Sequence, residues 1–276
     1  MALCALAFKG EKSAFAIYSK NNKPSSYEAM LSAASKADIV LIGELHNNPI
    51  CHWLEYELTK DIYLKKGKNT VLGAEMFEAD NQWAVSSYLK GEMSADTFKK
   101  KCRLWPNYAT DYKPLLDFAK DSGLHFVATN IPRKYASLLF KKGPTALDSL
   151  SAAEKQWMTP LPFLYDSNLV CYKSMLKMME GHGGQNFPMS QAIKDATMSH
   201  FLLQNWKPGQ IFIHYNGSYH SNNFESMYWY LKKANPNLKI VTIASAEQKV
   251  VTKLEKDNQK LADFIIVIPE TMTKTY

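Results

Sequence analysis

The sequence predicts an α/β fold, a mainly parallel β-sheet flanked by helices, with a smaller inserted helical subdomain. Two observations predict it: short, continuous apolar runs rich in β-branched residues recur along the chain, and helical patterns separate them. A strand that reads as an unbroken apolar run has both faces covered, the situation of a parallel sheet packed between helix layers. The 276 residues, 46% hydrophobic and 21% charged, exclude collagen-like, low-complexity and disordered classes. They also supply a core that needs no disulfide or metal staple.

Six runs read as strands: Asp38 to Gly43, Thr70 to Glu75, His125 to Thr129, Gln210 to Tyr215, Lys239 to Ile243 and Asp263 to Ile268. After the first, Ile50, Trp53, Leu54, Leu58 and Ile62 recur at helical spacing, so Pro49 to Lys65 is a helix opened by Pro49 and closed at Gly67. The interval from the third strand to the fourth exceeds a simple crossover. It holds a Tyr/Met-rich helix with Tyr165, Leu169, Tyr172, Leu176 and Met179 on one stripe, a loop Gly181-His182-Gly183-Gly184, and a helix from Met189 to Trp206. Together with Asn81 to Lys101 this reads as inserted helical structure. The division that follows is an α/β core of residues 1–80, 111–145 and 207–276 with helical insertions at 81–110 and 146–206.

The formal net charge of +7 does not indicate a nucleic-acid partner, because only Arg103 and Arg133 are arginines. Base and phosphate recognition leans on the bidentate guanidinium fork, and lysines supply nearly all of the positive charge here. Their short runs, such as Lys99-Lys100-Lys101, read as a solvated surface or as steering for an acidic ligand. No apolar run reaches the length of a membrane-spanning helix. Ala2 to Phe8 has two readings: the tail of an export signal, through the small-x-small Ala5-Leu6-Ala7, or a buried N-terminal strand. The first puts the protein outside the cytoplasm, periplasmic or membrane-anchored. Cys4, Cys51, Cys102 and Cys171 lack metal-site spacing and read as buried free thiols, with a disulfide as the alternative in an exported protein.

Ligands of an open parallel sheet bind outside the carboxyl ends of its strands. Those ends carry Glu44 and His46, then Glu75, then Asn130-Ile131-Pro132-Arg133, then His214 and His220, all directed to one crevice. Glu44 either serves the crevice or caps the next helix. Glu75, at the end of an apolar strand, requires a partner, and Arg133 or a histidine is the natural one. Asn130 to Arg133 reads either as a helix start or as a fork for a carboxylate. His125 and His182 read as ordinary histidines, and His52 and Glu55 as a solvent-facing pair. Gln191, Asp195 and Met198 share a helix face that either closes over the crevice or packs on the domain with Asp195 pairing a lysine. Tyr165, Tyr172, Tyr215 and Tyr219 fall on or near the cleft.

Gly43-Glu44-Leu45-His46-Asn47-Asn48-Pro49 resembles the opening motif of the ChaN-like haem-binding, iron-regulated proteins. Ala74-Glu75-Met76-Phe77-Glu78 with Gln82, Tyr112-Lys113-Pro114-Leu115, Asn130 to Arg133, Gln191 with Asp195 to Met198, and Asn216-Gly217 with His220 follow in the family's order. The chain departs from the family's compact Gly-Asn-Gly-His at Asn216-Gly217-Ser218-Tyr219-His220. The resemblance implies a lipoprotein or otherwise exported protein of haem or iron acquisition, with an outer-membrane haem or iron receptor as a further partner. It also implies haem at a homodimer interface, with a tyrosine on iron and polar side chains from the partner subunit on the propionates. On the haem side the candidates are Arg133, Asp195, Met198 and His214; no motif match places the tyrosine, and Tyr165, Tyr172 and Tyr219 are the candidates for the iron ligand. The fold group also resembles erythromycin-esterase-like and Tiki-type hydrolases. That makes Glu44, His46, Glu75 and His220 a candidate catalytic set and a candidate divalent-metal site.

Overall fold

The structure is a computed structural model describing residues 12–178 and 184–276. The Ala2 to Phe8 stretch, Cys4, Met179 and Gly181-His182-Gly183 lie outside the described residues. Within them the strands are β1 (Ala16–Ser19), β2 (Pro24–Ser25), β3 (Ile39–Glu44), β4 (Thr70–Glu78), β5 (His125–Asn130), β6 (Ile211–Gly217), β7 (Ile240–Gln248) and β8 (Phe264–Pro269). They form one sheet in the order β2-β1-β8-β7-β3-β6-β4-β5. All six predicted strands are present and pair in parallel. The two unpredicted ones, β1 and β2, pair antiparallel at one edge, and their few residues are too short to carry a period.

The helices are α1 (Tyr27–Ala34), α2 (Pro49–Lys66), α3 (Gln82–Leu89), α4 (Ala95–Lys101), α5 (Lys113–Asp121), α6 (Arg133–Lys142), α7 (Ala152–Lys155), α8 (Val170–Met178), α9 (Asn186–Asn205) and α10 (Met227–Ala234). The predicted boundaries of α2 hold for physical reasons. Asn48 accepts from the Ile50 N–H at 3.0 Å, Pro49 occupies the first turn, and Gly67 ends the helix at φ 55°. One apolar core lies between the sheet and α1, α2 and α5, with Leu54, Leu58 and Ile62 of α2 facing Val40, Ile42 and Tyr215. Ala84, Val85 and Tyr88 of α3 and Phe98 of α4 enter that same core. The opposite face of the sheet is covered by α9 and α10, where Met198, Leu202, Met227 and Leu231 meet Ile39, Leu41, Val71 and Phe212. Tyr165 and Leu169 precede α8 rather than sharing its stripe. Tyr172 and Met175 anchor it against Ala192 of α9.

Candidate functional site

The crevice is set by three neighbouring parallel strands. In register, Glu44 closes β3 opposite Gly217 at the end of β6, and β6 lies against β4 up to the pair Ala74 and Tyr215. Beyond Ala74 the register of β4 with β5 shifts before pairing resumes at Glu78 and Asn130. Such an irregularity re-aims a side chain. The Ala74 carbonyl accepts from the Thr129 hydroxyl at 2.9 Å and the Glu75 carbonyl from the Asn130 amide at 3.0 Å. The Glu75 carboxylate is left to turn across to β6, where its Oε2 accepts from the Gly217 N–H at 2.8 Å.

After Gly217 a single tight turn, Ser218–His220, sends Tyr219 outward and His220 back in. This is where the chain departs from the compact family motif, and His220 nonetheless reaches the crevice. Its Nε2 lies 3.2 Å from Glu75 Oε1 and its Nδ1 2.5 Å from Asp195 Oδ1. Tyr172 donates to the other Asp195 oxygen at 2.8 Å, and the Gln191 side-chain amide lies 2.9 Å from Nε2. Glu75 and Asp195 are thus partners of a histidine, not of Arg133 or a lysine. Across the crevice His46 holds Glu44 Oε1 through Nδ1 at 2.7 Å, stacks edge-on to Trp105, and keeps about a third of its side chain in solvent.

Behind His46 stands a layer that the sequence reading missed. His52 and Glu55, expected in solvent, are buried with Glu44: His52 Nδ1 lies 3.2 Å from Glu55 Oε2 and 3.7 Å from Glu44 Oε2. His52 Nε2 reaches the His46 carbonyl at 3.2 Å and Asp111 Oδ2 at 3.5 Å. Asn107, which precedes a wide helical turn at Tyr108–Tyr112, and Tyr112, its last residue, close this layer. Asn107 donates to the His46 carbonyl at 2.7 Å and Tyr112 to Glu44 Oε1 at 2.8 Å. A signal was present, since Glu55 lies on the helical wheel beside Ile62, inside the apolar arc of α2.

Other nominated residues lie elsewhere. Arg133 is exposed at the start of α6, in a shallow groove with Phe140 and Phe187, and makes no hydrogen bond or ion pair among the described residues. Met198 is a fully buried core residue, because three positions beyond Asp195 the helix has turned onto the sheet. His214 is buried inside β6 between the Thr129 hydroxyl at 2.8 Å and Asn216 at 3.1 Å, and burial pushes its pKa down to about 4. Tyr172 has its phenol committed to Asp195, and Tyr165 is half-buried with no partner for its hydroxyl among the described residues. Cys51, Cys102 and Cys171 are free thiols.

Glu44, His46, Glu75 and His220 line one cavity of about 530 Å³ with Gln191, Lys194 and Tyr219. Tyr219, 60% exposed, separates it from a neighbouring cavity of about 360 Å³ against Val170 and Met175 of α8. Burial opposes the charge on His220, but Glu75 and Asp195 outweigh it and raise the imidazolium pKa to about 10. Burial likewise acts to raise Glu75, and His220 with His46 overcomes it, holding the carboxyl well below the usual range. His46 is raised against burial by Glu44 and Glu75. Glu44 is pushed up to about 7 by burial and by Glu55, and Glu55 to about 8 by burial.

Two imidazoles, each gripped at Nδ1 by a buried carboxylate and flanking an ionised Glu75 at the carboxyl edge of a parallel sheet, define an α/β protein with a ligand crevice. The chain belongs to the ChaN family of haem-binding uptake proteins in the Tiki superfamily, whose model matches residues 30–231. The fold is that of a structure titled as cofacial haem binding to ChaN of Campylobacter jejuni, with a TM-score of 0.68 and 16% identity over 92% of this chain and 96% of that one. A crystallised Bacillus cereus protein matches at TM-score 0.52 and 10% identity, covering 88% of this chain and 90% of that one. The Arabidopsis thaliana chloroplastic protein RETICULATA-RELATED 5 is 25% identical over 199 residues, 66% of this chain. The chain spans only 26% of that relative's length.

Proposed function

We propose that the protein binds haem at the lip of the crevice, with Tyr219 as the iron ligand, and acts in haem or iron acquisition. The observation that carries this reading is the Tyr219 phenol. Of the three candidate tyrosines it alone is exposed, and it stands between two cavities in a chain of a haem-binding family. A phenolate suits ferric iron. Val170 and Met175 offer apolar contact to a ring, and Lys194 offers a cation to a propionate. Bound haem would supply a ferric centre; the chain supplies the oxygen donor, the apolar wall and the cation. Haemin titrated into the purified chain is expected to give a saturable Soret shift at micromolar haemin, and Tyr219→Phe to lose the phenolate charge-transfer band. The absence of a saturable shift sinks the reading.

The paired imidazole–carboxylate geometry favours a second reading, hydrolysis within the same crevice. His46, once deprotonated at Nε2, accepts a proton from a water while Glu44 holds its Nδ1. The water oxygen adds to the substrate carbonyl with the Lys194 ammonium of the same cavity beside the developing oxyanion, and on collapse the bond to the alcohol or amine breaks as His46 returns the proton to that leaving group. A panel of esters and amides tests it with His46→Ala as control. Turnover that survives that substitution removes His46 as base.

A further inference from the structure

We propose that Glu44, His52 and Glu55 form a buried binding site for a single divalent first-row cation of the zinc or manganese kind, behind the crevice and separate from the haem lip. One ligand atom from each of the three lies within 4.8 Å of the others, and all three residues are buried. Among the described residues they are the group that converges in this way. The four crevice residues Glu44, His46, Glu75 and His220 do not, and both ring nitrogens of His220 are taken up by Asp195 and Glu75.

Two independent observations say that something cationic belongs there. The first is the tautomer of His52. Its Nε2 faces the His46 carbonyl at 3.2 Å, which only accepts, so this nitrogen carries the proton. That hydrogen bond turns the other ring nitrogen, Nδ1, toward Glu55 Oε2 at 3.2 Å and Glu44 Oε2 at 3.7 Å. A ring nitrogen fixed by a hydrogen bond to a backbone carbonyl is how metal-bound histidines are held. The second is that Glu44 Oε2 and Glu55 Oε1 are buried with no hydrogen-bond partner. Two buried carboxylates, each with one oxygen that no donor reaches, beside a ring nitrogen turned toward both, suit a cation between them. Imidazole with carboxylates suits zinc, manganese or ferrous iron. Glu44 would serve the cation through Oε2 while Oε1 keeps His46 and Tyr112, so the cation would fix the carboxylate that orients His46.

The test uses the haem-free full chain, expressed with added zinc or manganese, purified without chelator, desalted and analysed for metal by mass spectrometry. About one equivalent is expected in the wild type, with a thermal midpoint that rises on metal loading. Glu55→Gln and His52→Gln are each expected to weaken retention at least about tenfold, while Glu75→Gln, altered only in the crevice, keeps the full equivalent. Cobalt substituted in the wild type should give visible bands of nitrogen and oxygen ligation without thiolate charge transfer. Wild-type protein that holds no stoichiometric metal and shows no thermal shift overturns the proposal, leaving a proton shared by the acid pair. Metal lost in Glu75→Gln but kept in Glu55→Gln also overturns it, since the ion would then belong to the crevice. Haemin binding is scored separately, so failure of one reading leaves the other standing.

Discussion

A methyl group on Gly217 would lie 2.6 Å from Nε2 of His46 and 3.5 Å from Oε2 of Glu75. The first distance is inside van der Waals contact, so the imidazole must move while the strand that carries the methyl stays fixed by its pairing with β3. Gly217→Ala is therefore expected to cost only about 1 to 3 kcal/mol of stability, yet to displace His46 from Glu44. The imidazole resonances of His46 in heteronuclear NMR report it: unchanged shifts and titration would contradict the close approach. A second residue-scale prediction concerns pH. Because the folded pKa of His220 is raised from 6.5 to about 10, the stability it contributes is fully present below about pH 6.5 and is lost as pH rises toward 10. Denaturant unfolding of the wild type and of Glu75→Gln should accordingly differ most just below about pH 6.5 and converge toward pH 10. A difference that is flat across that window contradicts a cationic His220 between two carboxylates.

Helix α9 shows what a one-dimensional pattern conveys and what it does not. Its location was legible, and so was the face bearing Gln191 and Asp195, both of which meet His220. The extension of that face to Met198 was not, because whether a residue lies at the crevice or over the sheet depends on where the helix crosses the strand ends. That crossing is a tertiary quantity. The same holds for α2, whose limits follow from Asn48, Pro49 and Gly67, but whose His52 and Glu55 are buried only because Asn107 to Tyr112 fold over them. Parallel strands were readable because burial on both faces leaves unbroken apolar runs, whereas Tyr219 and His220 exchange roles through one turn that no period encodes. The element-scale prediction follows from the reassignment of Met198. Met198→Ala empties a site between Leu202, Val71 and Phe212, and should destabilise the fold by about 2 to 5 kcal/mol. Haemin affinity measured below the unfolding transition should not change. A weakened affinity in a folded variant would return Met198 to the binding site.

At the scale of the whole molecule, the haem proposal leaves one face of the ligand uncovered by this chain. Leu164, Val170 and Tyr219 are each more than half exposed, and Val170 and Tyr219 line the same cavity at the mouth of the crevice. A haem lying on Tyr219 would meet Val170 and Met175 on one side and water on the other, and a large apolar ring half in water is a strong incentive to associate. On the proposed haem reading, a second copy related by a two-fold axis would cover it with the same patch and would bring two haems close together in one closed assembly. Light scattering coupled to sizing is thus expected to show a mass increase to the dimer on haemin addition, with one haem per chain. Tyr219→Ala should remove both the Soret shift and the mass change, and Leu164→Lys, outside the proposed ligand contacts, should weaken the dimer more than the first haem contact. A monomer that binds haemin saturably and stays monomeric separates the two parts of the idea: Tyr219 would keep its role, and the second copy would not.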